Sequence, residues 1–266
     1  MDKVYGFIGS GNMGSALIRS AAKTVDPKQI LICDTDMNKV RALEESLFVQ
    51  GTDIGTIAEK ASYIFLGVKP QMMEEMLSGI RETLKARKDR FVLISMAAGL
   101  SMDKIRSFAG DDYPVIRIMP NLAASVGEGM ILYTSAGTEK EEIREFLYVM
   151  QEAGEFAELK EELIDAGSAV SGCGPAFAAL FAEAMADALV KLGLKRDQAY
   201  LLSAQTLKGT ASLLLQDGLH PAVLKDAVCS PGGTTIAGVT SLEKDGFRAA
   251  CENAVEAAYR RTLELR

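Results

Sequence analysis

Two glycine-rich turns hold the residues best placed to do chemistry. The first, GFIGSGNMGSAL, covers residues 6–17. Gly9, Gly11 and Gly14 form G-x-G-x-x-G there, after the apolar run Val4–Ile8 and at the start of a helical pattern. A dinucleotide-binding turn requires that context. The first glycine permits the tight turn, the second lets a pyrophosphate approach the backbone, and the third allows close helix–strand packing. Free N–H groups at the helix start then face the pyrophosphate. The second turn, AVCSPGGTTIAG, covers residues 227–238. Pro231 suits a helix start, Gly232 and Gly233 let the backbone turn tightly, and Thr234 and Thr235 bring hydroxyls beside orphan N–H groups. The result is an anion site of carboxylate size. A dinucleotide turn and a carboxylate turn in one chain predict a redox enzyme for a small acid.

Further segments should complete the dinucleotide site. Asp34, in LICDTDMNK, lies about 20 residues beyond the glycine turn, where an acid hydrogen-bonds ribose hydroxyls and repels a 2′-phosphate. That favours NADH, although Lys39 is close in sequence; the alternative is that Asp34 caps the next helix. LGVKP (66–70) and SMAAG (95–99) follow the third and fourth strand patterns. Ligands of open α/β sheets bind at such carboxyl ends, and small residues let a nicotinamide ring lie close. Lys69 is a candidate acid there; alternatively the backbone of Val68–Pro70 makes the contacts.

The elements that must position these turns fall into two classes. Strand patterns at Val4–Ile8, Ile30–Cys33, Tyr63–Val68, Phe91–Ser95, Val115–Met119 and Met130–Thr134 are spaced by helical segments. Such spacing predicts βαβ units and a parallel sheet. From Leu159 onward only helices are expected: Pro175–Leu192, Asp197–Gln216, Pro221–Val228, Thr234–Lys244 and Phe247–Leu265. The segment AFAALFAEAMADALVKL is apolar on most of its circumference and must be buried. So short a half cannot cover it on two sides, which predicts an obligate oligomer formed through the C-terminal helices.

Composition removes several functions. The 266 residues are 48% hydrophobic and 24% charged, with net charge −7, and show no basic footprint for nucleic acid. Four cysteines (Cys33, Cys173, Cys229, Cys251) without CxxC spacing and a single histidine, His220, make a zinc site improbable and predict reduced thiols in a cytoplasmic protein. His220 precedes Pro221 and reads as a helix entry. No signal peptide is apparent at Met1-Asp2-Lys3. The longest uncharged run, between Asp165 and Glu183, contains Gly172, Gly174 and Pro175, and reads as a buried or interface helix rather than a membrane span.

VCSPGGTTIAGVTSLE (228–243) resembles the signature of the pyrroline-5-carboxylate reductase family. GFIGSGNMG, GVKP, SMAAG, RIMPN (117–121), VGEGM (126–130) and ELIDAGSAVSGCGPAF (162–177) are similar to that family in the same order, across nearly the whole chain. The resemblance implies an α/β Rossmann domain over 1–160 followed by an all-α dimerisation and substrate-binding domain over 161–266. It implies interlocked homodimers, commonly five to a decamer, and hydride transfer from NADPH or NADH to 1-pyrroline-5-carboxylate, the last step of proline biosynthesis. Ile8, Gly9, Ser10, Gly11, Asn12 and Met13, with Gly14, match the pyrophosphate loop. Gly67, Val68, Lys69 and Pro70, with Ala97 and Ala98, match the nicotinamide contacts. Ser230, Gly233, Thr234 and Thr235 match the carboxylate and imine contacts, with Thr235 as the donor to the imine nitrogen. Glu161 falls where the family has a substrate-side acid, and Asn121 should line the pocket. Two positions depart: Ile54 and Ala227 stand where many or some members have asparagine.

Two rivals make opposite demands. A 3-hydroxyacid dehydrogenase sharing the GFIGxGxMG opening needs a catalytic lysine on the long helix after the Rossmann domain, yet Ser171–Glu183 has none and the first is Lys191. A non-catalytic dinucleotide-binding regulator would have no need of the second turn, which is intact.

Overall fold

The computed structural model describes residues 3–264. Within these, residues 3–172 with 259–264 form one compact unit and residues 173–258 a second.

The first unit opens with β1 (Tyr5–Ile8), α1 (Asn12–Thr24), β2 (Ile30–Cys33), α2 (Met37–Leu47), β3 (Gln50–Gly51), α3 (Ile54–Lys60) and β4 (Tyr63–Leu66). It continues with α4 (Met73–Ala86), β5 (Val92–Ser95), α5 (Met102–Ala109), β6 (Val115–Met119), β7 (Gly129–Ala136), α6 (Lys140–Met150), β8 (Gly154–Glu158) and α7 (Glu161–Ser171). The eight strands are ordered β3-β2-β1-β4-β5-β6-β7-β8. The chain therefore starts mid-sheet, builds outward through β2 and β3, then crosses back to β4. That reversal is the topological switch point of a Rossmann fold.

Alternate residues of each strand feed two cores, as expected where helices cover both faces of a sheet. Phe7 and Phe65 stand in register on β1 and β4, their ring centroids 4.2 Å apart, in the core that also holds Phe146. Ile8, Leu66 and Leu93 point into the other, against α4 and α5 residues such as Leu77 and Ile105.

The sheet departs from the parallel expectation at one pairing: β7 runs antiparallel to β6, with β8 parallel to β7. Only nine residues, 120–128, separate β6 from β7. A parallel return needs a crossover of about a dozen residues or more, so this connection can only reverse the chain.

The second unit holds α8 (Gly174–Lys191), α9 (Arg196–Asp217), α10 (Pro221–Val228), α11 (Thr234–Lys244) and most of α12 (Phe247–Glu264). Leu265, the last residue of the expected final helix, lies outside the described residues. Phe181 of α8 meets Phe247 of α12 at 5.5 Å between centroids. Of α8, only Ala186 is fully buried; Leu180 on α8 is 67% exposed and Leu201 on α9 is 69% exposed.

By length and composition alone, the helical stretch Glu161–Lys191, 31 residues with mean hydropathy 1.4, is long and apolar enough to cross a membrane. This exceeds the uncharged run because helix continues past the charges at both ends. α7, however, buries Ile164, Asp165, Ser168 and Ala169 within the first unit, as a helix packed on a sheet does.

Candidate active site

At the switch point the ends of β1 and β4 meet almost back to back. The Gly9 N–H donates to Cys33 O at 2.8 Å, and the Gly67 N–H to Ile8 O at 2.7 Å. Gly9 has φ +101°, and a Cβ there would sit 2.6 Å from Gly67 O. A Cβ on Gly14 would lie 2.1 Å from Gly9 O, so α1 can approach the turn only with glycine in its first turn. Gly11 is different: a Cβ there meets nothing within 4 Å. It is the N-cap of α1 and no side chain caps that end. The turn thus leaves backbone N–H groups and an open approach at one spot, which is what a pyrophosphate requires. Ile8 and Ser10 are buried, Met13 is half-buried, and Asn12 is exposed at the helix mouth. Beside them a cavity of about 420 Å³ is bordered by Ser10, Asn12, Ser15, Arg19 and Lys39.

Asp34 closes the β2 side of this turn. Its Oδ2 accepts the Ser10 N–H at 2.6 Å and the Ser10 hydroxyl at 3.1 Å, while Oδ1 accepts the Asp36 N–H at 2.9 Å. Partial burial pushes the carboxyl pKa up, but these hydrogen bonds and Lys39 hold it below the ordinary aspartate value. The cap of α2 is Asp36, whose Oδ1 accepts the Asn38 N–H. Asp34 therefore does not serve as that helix's cap.

GVKP follows β4, with Val68 half-buried and Lys69 and Pro70 exposed; Lys69 is the N-cap of a short 3-10 turn, Pro70–Met72. Ala97, after β5, is buried, and Ala98 is exposed. These small residues line the carboxyl edge next to the glycine turn.

Asn121, after β6, is 8% exposed and donates through Nδ2 to Ser171 O at 2.8 Å. This joins the strand end to the last turn of α7. Glu161, at the other end of α7, accepts the Met102 N–H at 2.7 Å and so satisfies the first turn of α5; the same oxygen is 3.5 Å from Arg117 Nη1. Arg117 in turn pairs with Asp165 at 2.8 Å. The sequence carries a partial signal for this pair: an arginine in an otherwise apolar strand, and two acids four residues apart on one helix face.

In the second unit, Gly232 has φ +64° and Gly233 is the N-cap of α11, again without a side-chain cap. The Gly233 N–H donates to Ser230 O at 3.0 Å, which closes the turn. Thr234, exposed, and Thr235, half-buried, occupy the first helical positions, with Ser230 exposed on the turn. His220 is a helix entry, its Nδ1 accepting the Ala222 N–H at 3.2 Å. Among the described residues no cluster of three or more His, Cys, Asp or Glu could hold a metal ion.

Residues 161–265 match the family model described as pyrroline-5-carboxylate reductase dimerisation, and residues 4–99 match NADP oxidoreductase coenzyme F420-dependent. The chain is 40% identical to the pyrroline-5-carboxylate reductase of Escherichia coli over 269 residues, covering 100% of this chain and 99% of that protein. It is 38% identical to the Methanosarcina acetivorans enzyme of the same name, covering 98% and 97%. A solved pyrroline-5-carboxylate reductase from Coxiella burnetii superposes with TM-score 0.92 at 29% identity, over 99% of this chain and 98% of that one. The Plasmodium falciparum pyrroline carboxylate reductase with NADP bound gives 0.85 at 30%, over 98% and 97%.

Proposed function

The chain belongs to the pyrroline-5-carboxylate reductase family, and from that premise we infer how its two turns share the reaction. The protein is an NAD(P)H-dependent oxidoreductase that reduces 1-pyrroline-5-carboxylate to proline. When bound, a reduced nicotinamide would supply the hydride that the imine carbon takes, balanced by a proton on the nitrogen, so that the imine becomes the secondary amine.

The chain's own residues bind, orient and donate. Ile8–Gly14 cradle the pyrophosphate on the α1 terminus, and Gly67–Pro70 with Ala97 and Ala98 flank the nicotinamide. The N–H groups of Thr234 and Thr235 that open α11, with Gly233 and Ser230 forming the turn beside them, hold the substrate carboxylate. A helix terminus favours such a charge by about 0.3–1 kcal/mol. The Thr235 hydroxyl hydrogen-bonds the imine nitrogen; threonine is too weak an acid to ionise usefully, so it orients and relays the proton. In this reading Asn121 and Glu161 stand on the substrate side, Asn121 with its Nδ2 committed to Ser171 and Glu161 with one oxygen committed to Met102.

The observation that supports this reading most directly is the glycine-opened start of α11, which no side chain caps. The test is NAD(P)H oxidation followed by its near-ultraviolet absorbance, with and without pyrroline-5-carboxylate. Tight dinucleotide binding without imine-dependent turnover would point to a regulator instead.

The chain carries the family's dimerisation domain and assembles as a homo-oligomer. The proposed interface is the exposed apolar surface of α8 and α9, with dimers gathered into a cytoplasmic decamer. In the proposed division the dinucleotide domain is 1–160 and the dimerisation and substrate-binding domain 161–266.

A further inference from the structure

The end of β2 carries an arrangement that bears on cofactor choice. NADPH differs from NADH only by a phosphate on the adenosine ribose, and in a Rossmann fold that ribose meets the end of the second strand. A site for the phosphate needs donors and positive charge. The two nearest donors on the glycine turn are the Ser10 N–H and the Ser10 hydroxyl. Both are already taken, at 2.6 and 3.1 Å, by a single carboxylate oxygen of Asp34.

The charges around this point are mostly negative. Asp36 follows on the exposed loop, and its carboxylate has Lys39 Nζ at 3.9 Å. Asp34 and Asp53 both lie close enough to the Cys33 thiol at the strand end to disfavour its ionisation. Arg19 borders the same cavity as Lys39, and among the described residues it forms no ion pair with this loop. Asp34 retains acceptor capacity: Oδ1 takes one N–H, and a carboxylate offers about four lone-pair sites in all. A ribose hydroxyl can use what remains, whereas a phosphate dianion would face a fixed carboxylate and find its donors gone.

We infer that Asp34, held by Ser10 and Asp36, makes this protein prefer NADH over NADPH. The inference rests on the glycine turn being the dinucleotide site, as assigned above, and it sets this chain apart from the relative whose structure holds NADP.

The experiment is to measure dissociation constants of NADH and NADPH by nicotinamide fluorescence, with competition by 5′-AMP and 2′,5′-ADP. The proteins are the wild type, Asp34→Asn and Asp34→Ser/Thr35→Arg. Asparagine keeps an acceptor for Ser10 and removes the charge, giving up the Asp36 N–H bond because its amide nitrogen cannot accept; the double variant adds a cation on the exposed loop. The wild type should bind NADH at least about tenfold more tightly than NADPH, the scale of like-charge repulsion between partly exposed groups. 5′-AMP should compete better than 2′,5′-ADP. The NADH-to-NADPH affinity ratio should fall about fivefold or more in Asp34→Asn and invert in the double variant. A wild type that binds NADPH as well as NADH, or a ratio unchanged in Asp34→Asn, would overturn the inference while leaving the reductase reading intact. Failure to bind either dinucleotide would overturn both.

Discussion

Arg117 Nη2 lies 2.8 Å from Asp165 Oδ1, and the two side chains are 4% and 1% exposed. Taking both charges out of water is expensive, and their mutual attraction offsets that only while both are present. With Glu161 on Arg117 Nη1 and on the Met102 N–H, this cluster clamps β6, α5 and α7 together.

Arg117→Met should therefore destabilise the protein by about 3–5 kcal/mol, because it removes one partner of a buried ion pair. Arg117→Met/Asp165→Leu should recover most of that loss. Urea denaturation of the single and double variants checks it. Equal losses in both would show that packing, not the charge pair, is what matters there.

The three glycines of the first turn should behave differently. Gly14→Ala drives a methyl group toward Gly9 O and should cost about 1–3 kcal/mol of stability. Gly11→Ala meets no protein atom, so its melting temperature should match the wild type while dinucleotide affinity drops by at least about tenfold. Thermal melts and NADH titrations on the two variants separate a packing effect from a binding effect.

Much of the first unit could be read from the chain because long apolar runs and strand-to-helix spacing are local signals. β3 has two residues and β8 is the polar-edged GEFAE, so neither offers a run that stands out. The reversal at β7 was written in the length of its connection, though alternation of strand and helix elsewhere suggested otherwise. α7 was hidden between a strand and a glycine cluster. At the site, residue types identified the turns and spacing singled out Asp34, but its bond to Ser10 spans 24 positions, and no local pattern announces it. The Arg117–Asp165 pair, 48 positions apart, has only a partial local signal, an arginine in an apolar strand, and nothing local names its partner.

Cys33 should be a poor nucleophile. Burial, with Asp34 and Asp53 nearby, pushes its thiol up to about 11 against a backbone hydrogen bond that acts the other way. The folded protein holds this thiol protonated where the unfolded chain, with a thiol pKa of about 8.5, ionises it. Its contribution to stability is complete below that value and is lost as pH rises toward 11. Alkylation rates against pH, in a Cys173→Ser/Cys229→Ser/Cys251→Ser background, should give a midpoint well above that of a free thiol. A midpoint near the free value would refute it.

Thr235→Ala should lower turnover by at least about tenfold while NADH affinity stays unchanged, since the hydroxyl acts on the imine and not on the dinucleotide. Thr235→Ser, which keeps the hydroxyl, should restore most of the rate. Steady-state kinetics with separate cofactor titrations distinguish this from a helix-cap effect, which would reduce stability and leave turnover alone.

Leu201→Arg should shift the protein toward monomer in light scattering, because the side chain is 69% exposed on a helix within the dimerisation match. An unchanged mass would place the interface elsewhere.

The glycine turn also separates ancestry from activity. Gly9 and Gly14 answer to the protein's own backbone, so a descendant that abandoned its coenzyme would be obliged to keep them simply to fold. Gly11 answers to the guest alone. A sibling sequence in which that one position has drifted to a larger residue, with its two neighbours intact, would be a well-folded protein that has left redox chemistry behind.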